Sequence, residues 1–517
     1  MTRPILRLRA IAAVVLAPLG FGAAAPGPLE FPQPARVITL RSLPLLLVDD
    51  SVLVSRRDLV RRQHAATSLP APVVVADRPW EGQRVYVFGT AQFDPEQKRF
   101  QLWYVGVPDA GEVLAETGRV FVPGFRQGGA TLVLYATSAD GRQWDKPVLG
   151  LHAFAGSTAN NIVFDLDSPS VIRDEHDPDP GRRYKMVGYS SGSYWSAVSP
   201  DGVRWRGEPE GPILEHGTTV SLTQNPETGE FLVFHKRPQQ VRGFDRRVVW
   251  LSRSPDFRRW SPPELVLAPD EADDLWVRRP QERTEIHSMP VFPHAGGYLG
   301  LPTVMRVEYE LPPGTAGRGQ SPTAGSVHVE LASSPDGRRW ERAWPRLHLV
   351  PPGEPGTFNG GAVIGLASAP VNVGTETWIY YTVLTTHFGS PMPPKRISVA
   401  RASWRRDGYV SLEAGPEGGR LETVPLRFAQ ARLLVNADAR RGWLRAAILE
   451  SDGRPIDGLG LAECLPFRDD TVGAPLGWTG GRQPPTDRPV RVLIEMAGAR
   501  LFSLASSFTS THAPGAR

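Results

Sequence analysis

Four segments of the chain spell the same turn: Ser138-Ala-Asp140-Gly141-Arg-Gln-Trp144, Ser199-Pro-Asp201-Gly202-Val-Arg-Trp205, Ser254-Pro-Asp256-Phe257-Arg-Arg-Trp260 and Ser334-Pro-Asp336-Gly337-Arg-Arg-Trp340. The Asp-to-Asp spacings are 61, 55 and 80 residues. Ser-x-Asp-Gly is turn chemistry, because the Asp side chain caps nearby backbone and Gly accepts positive φ. The Trp three residues later folds back onto the strands that the turn joins. Between the turns recurs a second unit, a strand, a polar turn and an aromatic strand: Val85 to Phe93 with Phe100 to Val105, Ser170 to Arg173 with Tyr184 to Tyr189, Val220 to Thr223 with Phe231 to His235, Met289 to Phe292 with Tyr298 to Leu301, and Ala362 to Val371 with Trp378 to Thr382. Five such pairs, with a decayed fifth turn at Ala402 to Gly408, predict a five-bladed β-propeller over about 40–410.

Composition agrees with a turn-rich, all-β chain: 52 Gly and 51 Pro in 517 residues leave little room for long helices. After Gly408 the turn disappears, and strands at 421–428, 431–437, 443–449, 490–496 and 501–506 predict a C-terminal β-sandwich over 411–510. Residues 1–25 read as a secretory signal, with Arg3, Arg7 and Arg9 ahead of an apolar run and Ala23-Ala24-Ala25 as the cleavage site. This predicts an exported product, periplasmic or secreted, with no membrane span in the mature chain. The lone Cys464 excludes a disulfide framework, a Cys-based zinc site and an iron–sulfur cluster. Of 58 basic residues only Lys98, Lys146, Lys185, Lys236 and Lys395 are lysines, and no basic run suggests nucleic acid as a partner.

In a propeller the inner strand of each blade lines the axis, so an acid at its start points into a central funnel. Asp167 stands four residues before Val171, and Glu285 four before Met289. Breaking a glycosidic bond needs a protonated carboxyl for the leaving oxygen and an ionised one to activate water or attack the anomeric carbon. A pair of rim carboxylates suits that chemistry. His64, His287 and His387 are candidates to contact sugar hydroxyls, and Trp80 to stack on a sugar ring. No cofactor is implied; a structural calcium on the axis is chemically compatible with the carboxylates and carbonyls there, although no ligand loop is visible.

These motifs resemble the five-bladed propeller glycosidases of the invertase, levansucrase and arabinanase superfamily, glycoside hydrolase families 32 and 43. The segments Leu45 to Asp50, Arg78 to Glu81, Asn160 to Val163, Thr284 to Pro290 and Asp407 to Leu412 resemble more closely a group of secreted planctomycete-type proteins with a family 32 N-terminal-like propeller. The resemblance implies three acids acting together: a base or nucleophile from the first blade, Asp167 as transition-state stabiliser and Glu285 as acid. Asp174 competes with Asp167, because Arg173-Asp174 resembles the Arg-Asp-Pro element of family 32; Arg173 is then a substrate contact. In the first blade the equivalent position is the apolar Val87, and the Asn-Asp-Pro box of family 32 is absent. Asp50, on the strand expected to close the ring, is placed first for the missing acid, with Glu81 second and Asp49 as a further alternative. Glu463-Cys464 imitates an acid-bearing element of family 32 but falls in the tail. The expected function is a secreted glycoside hydrolase acting on an oligo- or polysaccharide. Glycoside phosphorolysis, with a basic phosphate site, and a non-catalytic carbohydrate-binding propeller are the alternatives.

Overall fold

The computed structural model describes residues 29–31, 36–108, 131–317 and 320–507. The expected signal at 1–25 lies outside the described residues. Among those described, all regular structure is strand apart from four short 3-10 turns, and no helix is long and apolar enough to cross a membrane.

Five meanders follow one another. The first contains Val85–Asp94, Arg99–Gly106, Leu132–Ser138 and Ile162–Phe164. The second contains Asp167–Arg173, Tyr184–Ser190, Ser193–Ser199 and Arg206–Gly207, and the third Val220–Gln224, Phe231–Val241, Phe244–Ser254 and Glu264–Leu267. The fourth splits into two short sheets, because Pro290 and Pro302 cannot donate to the ladder and interrupt its strands. Val291–His294, Gly297–Gly300, Ala332–Ser334 and Glu341–Arg342 form one part; Arg283–Ser288, Thr303–Glu310 and Thr323–Val329 form the other. The two parts join where Leu301 donates to the Pro290 carbonyl at 2.9 Å and Glu330 to that of Pro302 at 3.0 Å. The fifth contains Ala362–Leu366, Glu376–Leu384 and Ile397–Arg405, and its outer strand is Thr67–Ser68 from the other end of the chain.

The repeated turns form as their residues dictate, and each packs on the preceding meander. Asp140 Oδ1 accepts from the backbone of Arg142 and Gln143 at 2.8 and 2.9 Å, and Ser138 Oγ accepts from Gly141 at 2.8 Å. Gly141, Gly202 and Gly337 have φ of 66°, 78° and 75°; the third copy puts Phe257 there at φ 63°. A left-handed non-glycine costs roughly 1–2 kcal/mol. Here burial of the Phe257 ring offsets it, edge-on to Phe231 and Trp260. Tyr380 of the fifth meander donates to Gly141 O at 2.8 Å, Trp103 of the first to Gly202 O at 2.7 Å, Arg182 of the second to Asp256 O at 3.3 Å, and Arg253 of the third to Asp336 O at 3.2 Å. The decayed turn follows suit, with the Tyr409 ring 6.0 Å from Phe292 of the fourth. The contacts therefore run in a closed circuit. Replacing Asp140 by Ala should cost about 1 kcal/mol in urea unfolding and leave any enzymatic turnover unchanged, since the loss is confined to one exposed cap.

Two further sheets take strands from both chain ends. Leu29–Glu30, Ile38–Leu40 and Leu53–Arg57 join Gly419–Thr423, Leu426–Phe428, Trp443–Glu450 and Val490–Ala497; Leu45–Leu46 and Leu59–Gln63 join Val410–Ala414, Leu434–Asp438, Asp470–Pro475 and Ala499–Ala505. Val490, Val492, Ile494 and Met496 are buried at alternate positions, the period-2 pattern of a sheet with one face on a core. Facing them in the same apolar cluster are Leu412, Val435, Leu501 and Leu504. The expected boundary at 40 therefore does not follow the sheets: the segment from Ile38 to Gln63 pairs with the C-terminal strands and not with the meanders. Parallel pairing of Ile38–Leu40 with Leu426–Phe428 links residues far apart in sequence, which no local pattern announces.

Candidate functional site

A belt of hydroxyls ties the first strands of the meanders together. Ser170 Oγ lies 2.6 Å from Ser368 Oγ, which accepts from Thr90 Oγ1 at 3.1 Å. Thr90 Oγ1 accepts from Val171 N at 2.8 Å, Ser170 Oγ from Leu222 N at 2.7 Å, and Ser221 Oγ from Val291 N at 3.2 Å. Small hydroxyl side chains let five strands approach one axis while satisfying backbone groups that the ladders leave over. Next to this belt is a narrow cavity of about 10 Å³, lined by Phe88, Ser221, Lys236, Ser288, Leu366 and Ser368 among others.

Above it the third meander rises as a long hairpin, Phe231–Val241 and Phe244–Ser254, closed by Arg242-Gly243 with φ of 47° and 82°. A two-residue turn with both φ positive matches the twist of its strands. The hairpin carries Lys236 and Arg247 to the axis. Asp167 opens the first strand of the second meander, Glu285 and His287 lie on Arg283–Ser288 of the fourth, and Tyr86 and Phe88 come from the first. Phe388 follows the Glu376–Leu384 strand of the fifth, and the His287 ring sits 5.8 Å from Phe88 and 5.7 Å from Phe388.

The electrostatics separate the two rim acids. Both oxygens of the buried Glu285 are occupied: Oε1 accepts from Arg283 Nε at 2.7 Å and Oε2 from Arg247 Nη1 at 2.9 Å. Arg283 also pairs with Glu310 at 2.5 Å, and Arg247 donates to Thr323 Oγ1 at 3.1 Å. Asp167 Oδ1, by contrast, accepts from the Ser168 hydroxyl at 2.9 Å and takes part in no ion pair among the described residues. Burial lifts its carboxyl above the ordinary value; Ser168, Lys236 and Arg84 offset part of that. Burial and the neighbouring Arg247 push the Lys236 ammonium down to about 7, against the opposing pull of Asp167 and Glu285. Burial, Lys236 and Arg247 hold His287 well below its usual range, so it is a neutral imidazole; among the described residues its Nδ1 has no hydrogen-bond partner. Asp167, Lys236, Arg247, Glu285 and His287 thus lie close enough to act on one another. Among the described residues no group of three or more His, Cys, Asp or Glu side chains is arranged to hold a metal ion.

Of the residues expected from sequence, Asp167, Glu285 and His287 converge here, and the others are held elsewhere. Asp50 is not on the closing strand; that strand is Thr67–Ser68. It sits between Leu45–Leu46 and Leu53–Arg57 and is ion-paired with Arg56 at 3.0 Å and Arg61 at 2.5 Å. Burial would raise its carboxyl, but hydrogen bonds from Arg61 and Arg56 outweigh that and leave it below the ordinary value. Asp49 caps the same turn, accepting from Ser51 N at 2.8 Å. Glu81 is wholly buried against Lys146 and Tyr104, and Trp80 donates to Asn161 Oδ1 at 2.6 Å. Asp174 pairs with Lys185 at 2.8 Å, while Arg173 pairs with Glu96 and Glu175 at the outer end of its strand. His64 bonds to Ser411 Oγ at 2.8 Å beside the Phe502 ring. His387 stacks on Tyr309 and lies 3.6 Å from Glu308. Changing Asp50 to Asn should leave kcat within about twofold, because it removes half of a local ion-pair cluster and nothing in the funnel; a loss as large as that from a funnel acid would restore its catalytic candidacy.

Lys236, Arg247, Tyr86, Phe88 and Phe388 were not singled out from sequence. The signal that could have found Lys236 is rarity: the chain writes nearly all its cations as Arg, and Lys146, Lys185 and Lys395 turn out to be buried side chains.

No protein-family model matches the chain, and no curated protein matches it. Solved structures similar to it include a β-1,2-mannobiose phosphorylase from Listeria innocua (12% identity, TM-score 0.40, covering 66% of this chain and 97% of that one). Others are an α-L-arabinofuranosidase from Podospora anserina (11%, TM-score 0.39, 66% and 98%) and an N-acetylgalactosamine deacetylase from F. plautii (15%, TM-score 0.38, 72% and 95%).

Proposed function

We propose that the five meanders are the blades of a five-bladed β-propeller, that the two remaining sheets form a β-sandwich built from both chain ends, and that the funnel is the active site of an exported enzyme that breaks a glycosidic bond. The observation that carries the reading is the pairing of a buried carboxyl, raised above its ordinary value by desolvation, with a second, buried carboxylate clamped by two arginines. In this reading the roles expected from sequence exchange. Asp167 is the acid: as the C–O bond breaks, its proton goes to the leaving oxygen, and an oxygen nucleophile bonds to the anomeric carbon; a water nucleophile then sheds its extra proton, which restores the Asp167 carboxyl. Glu285, with both oxygens engaged by guanidinium N–H donors, is a positioning residue that fixes Arg247 and Arg283. Tyr86, Phe88 and Phe388 offer partly exposed ring faces for a sugar.

The nucleophile is water or inorganic phosphate. The Lys236 ammonium beside Arg247 favours keeping phosphorolysis as the second reading, since an oxyanion nucleophile needs cations where it enters. The test is turnover of an oligosaccharide panel by the wild-type chain and by Asp167→Asn, with and without phosphate. Reducing ends released without phosphate support hydrolysis, and phosphate-dependent sugar phosphate supports phosphorolysis. Glycan binding with no product in either case sinks both and leaves a binding protein.

A further inference from the structure

The charges of the funnel do not balance. Arg283 is met by Glu285 and Glu310, and Arg247 shares Glu285. Lys236 has no ion pair and no side-chain hydrogen bond among the described residues, although it is only partly exposed and feels Arg247 as well as the acids Asp167 and Glu285. Arg84 also has no ion pair among the described residues and lies with its guanidinium 6.0 Å from the Tyr86 ring centre. The remaining carboxyl, Asp167, makes no ion pair with Lys236 among the described residues, and burial disfavours its charged form. A desolvated cation without a partner is costly, and a chain that retains one beside a cavity has left a place for an anion. The neutral His287, with a buried unpartnered nitrogen, adds no further positive charge and offers a ring between Phe88 and Phe388.

We infer that the funnel takes an anionic sugar, one bearing a carboxylate or a sulfate ester, whose charged group seats on Lys236 with Arg84 and Arg247 nearby while its ring lies against the aromatic walls. This rests on the funnel being the sugar site and adds the class of sugar. A neutral glycan would leave Lys236 unmatched and would have to pay for burying it further. A charged one forms a charge-assisted hydrogen bond to an ammonium already held in place, and Arg84 and Arg247 add to the attraction over a longer range.

The experiment is direct binding to the full chain, by calorimetry in about 0.1 M salt. The ligands are uronate-bearing and sulfated oligosaccharides, their uncharged counterparts, and inorganic phosphate. The carboxylate and sulfate arms identify which anion is taken. Charged glycans should bind at least tenfold more tightly than neutral ones. Lys236→Met should remove at least that factor for the charged set and bind neutral glycans no more weakly than wild type, while Lys236→Arg, which keeps the charge, restores most of the charged-glycan binding. Equal binding of neutral and charged glycans overturns the inference, as does undiminished binding by a folded Lys236→Met chain, or binding of phosphate with no charged glycan bound. Asp167→Asn separates the two levels of the argument. Charged glycans bound tightly by both chains, with no product from wild type, would sink the enzymatic reading and leave the anionic ligand standing. Turnover confined to neutral sugars would do the reverse.

Discussion

Asp167→Asn is expected to lower turnover by roughly 10²- to 10⁴-fold, the usual contribution of a positioned proton donor. The substitution keeps the shape and the hydrogen bond from Ser168 but removes the proton, so glycan affinity should stay within a few-fold. The pH profile gives a sharper check. Because burial raises the Asp167 carboxyl, the protonated and active form persists above the ordinary carboxylate range, and activity falls as pH climbs through the elevated value. Lys236, at about 7, loses its charge in the same direction and steepens the fall for a charged substrate. Asp167→Asn should abolish the first of these limbs. Stability carries the same sign: the native state holds this proton more tightly than the unfolded chain, so its contribution is full below the unfolded carboxylate value and is lost as pH rises through the folded one. The Asn variant should therefore lose less stability than wild type between mildly acidic and alkaline pH. A variant with wild-type kcat, or one whose pH profile keeps the limb, would remove Asp167 from the chemistry.

Glu81→Ala is expected to cost about 3–5 kcal/mol of folding free energy, the usual result of breaking a buried ion pair by deleting one partner. Glu81 lies wholly out of solvent and every bonding direction is used. Lys146 Nζ is 2.6 Å from Oε1, the Tyr104 hydroxyl donates to the same oxygen at 2.7 Å, and the backbone N–H groups of Asp77 and Arg78 donate to Oε2 at 2.8 and 3.0 Å. Asn161 extends the network, donating to the Tyr104 oxygen at 3.0 Å and accepting from Trp80. Deleting the carboxylate leaves the Tyr104 hydroxyl and two backbone N–H groups without an acceptor and strips Lys146 of its buried partner, leaving it only Asp77 and the Val75 carbonyl. Urea unfolding should show the loss as a lower midpoint at unchanged slope, and Lys146→Met should lose a comparable amount. If Glu81→Ala kept its midpoint and lost turnover, the first-blade acid anticipated from sequence would be Glu81 after all.

The contrast between Glu81 and Asp167 explains which part of the site was legible. Both are acids, and both are catalytic candidates in the sequence. Asp167 and Glu285 follow from their offset along the chain, a local relation that survives folding: Asp167 opens its strand, and Glu285 lies on the strand that Pro290 interrupts. Glu81 and Asp50 were reached by asking which acid was missing. Their partners, Lys146 and Arg61, are set by packing between segments that local pattern does not connect. The exchange of roles between Asp167 and Glu285 has the same origin. Arg247, which claims one Glu285 oxygen, arrives on a hairpin of the neighbouring meander, so no spacing around Glu285 discloses it.

What the sequence determined by itself was local: the Ser-x-Asp turns, whose hydrogen bonds span two or three residues, the number of meanders, and the placing of Asp167 and Glu285 on strands of the second and fourth. The decisions left to tertiary structure were long-range ones. Thr67–Ser68 closes the fifth meander, both chain ends share the flanking sheets, and a lysine and an arginine from the third meander reach the axis. Turn geometry is written within a few residues, whereas a carboxyl's proton and a cation's partner depend on what folding brings alongside, and only the completed circuit of sheets brings them there.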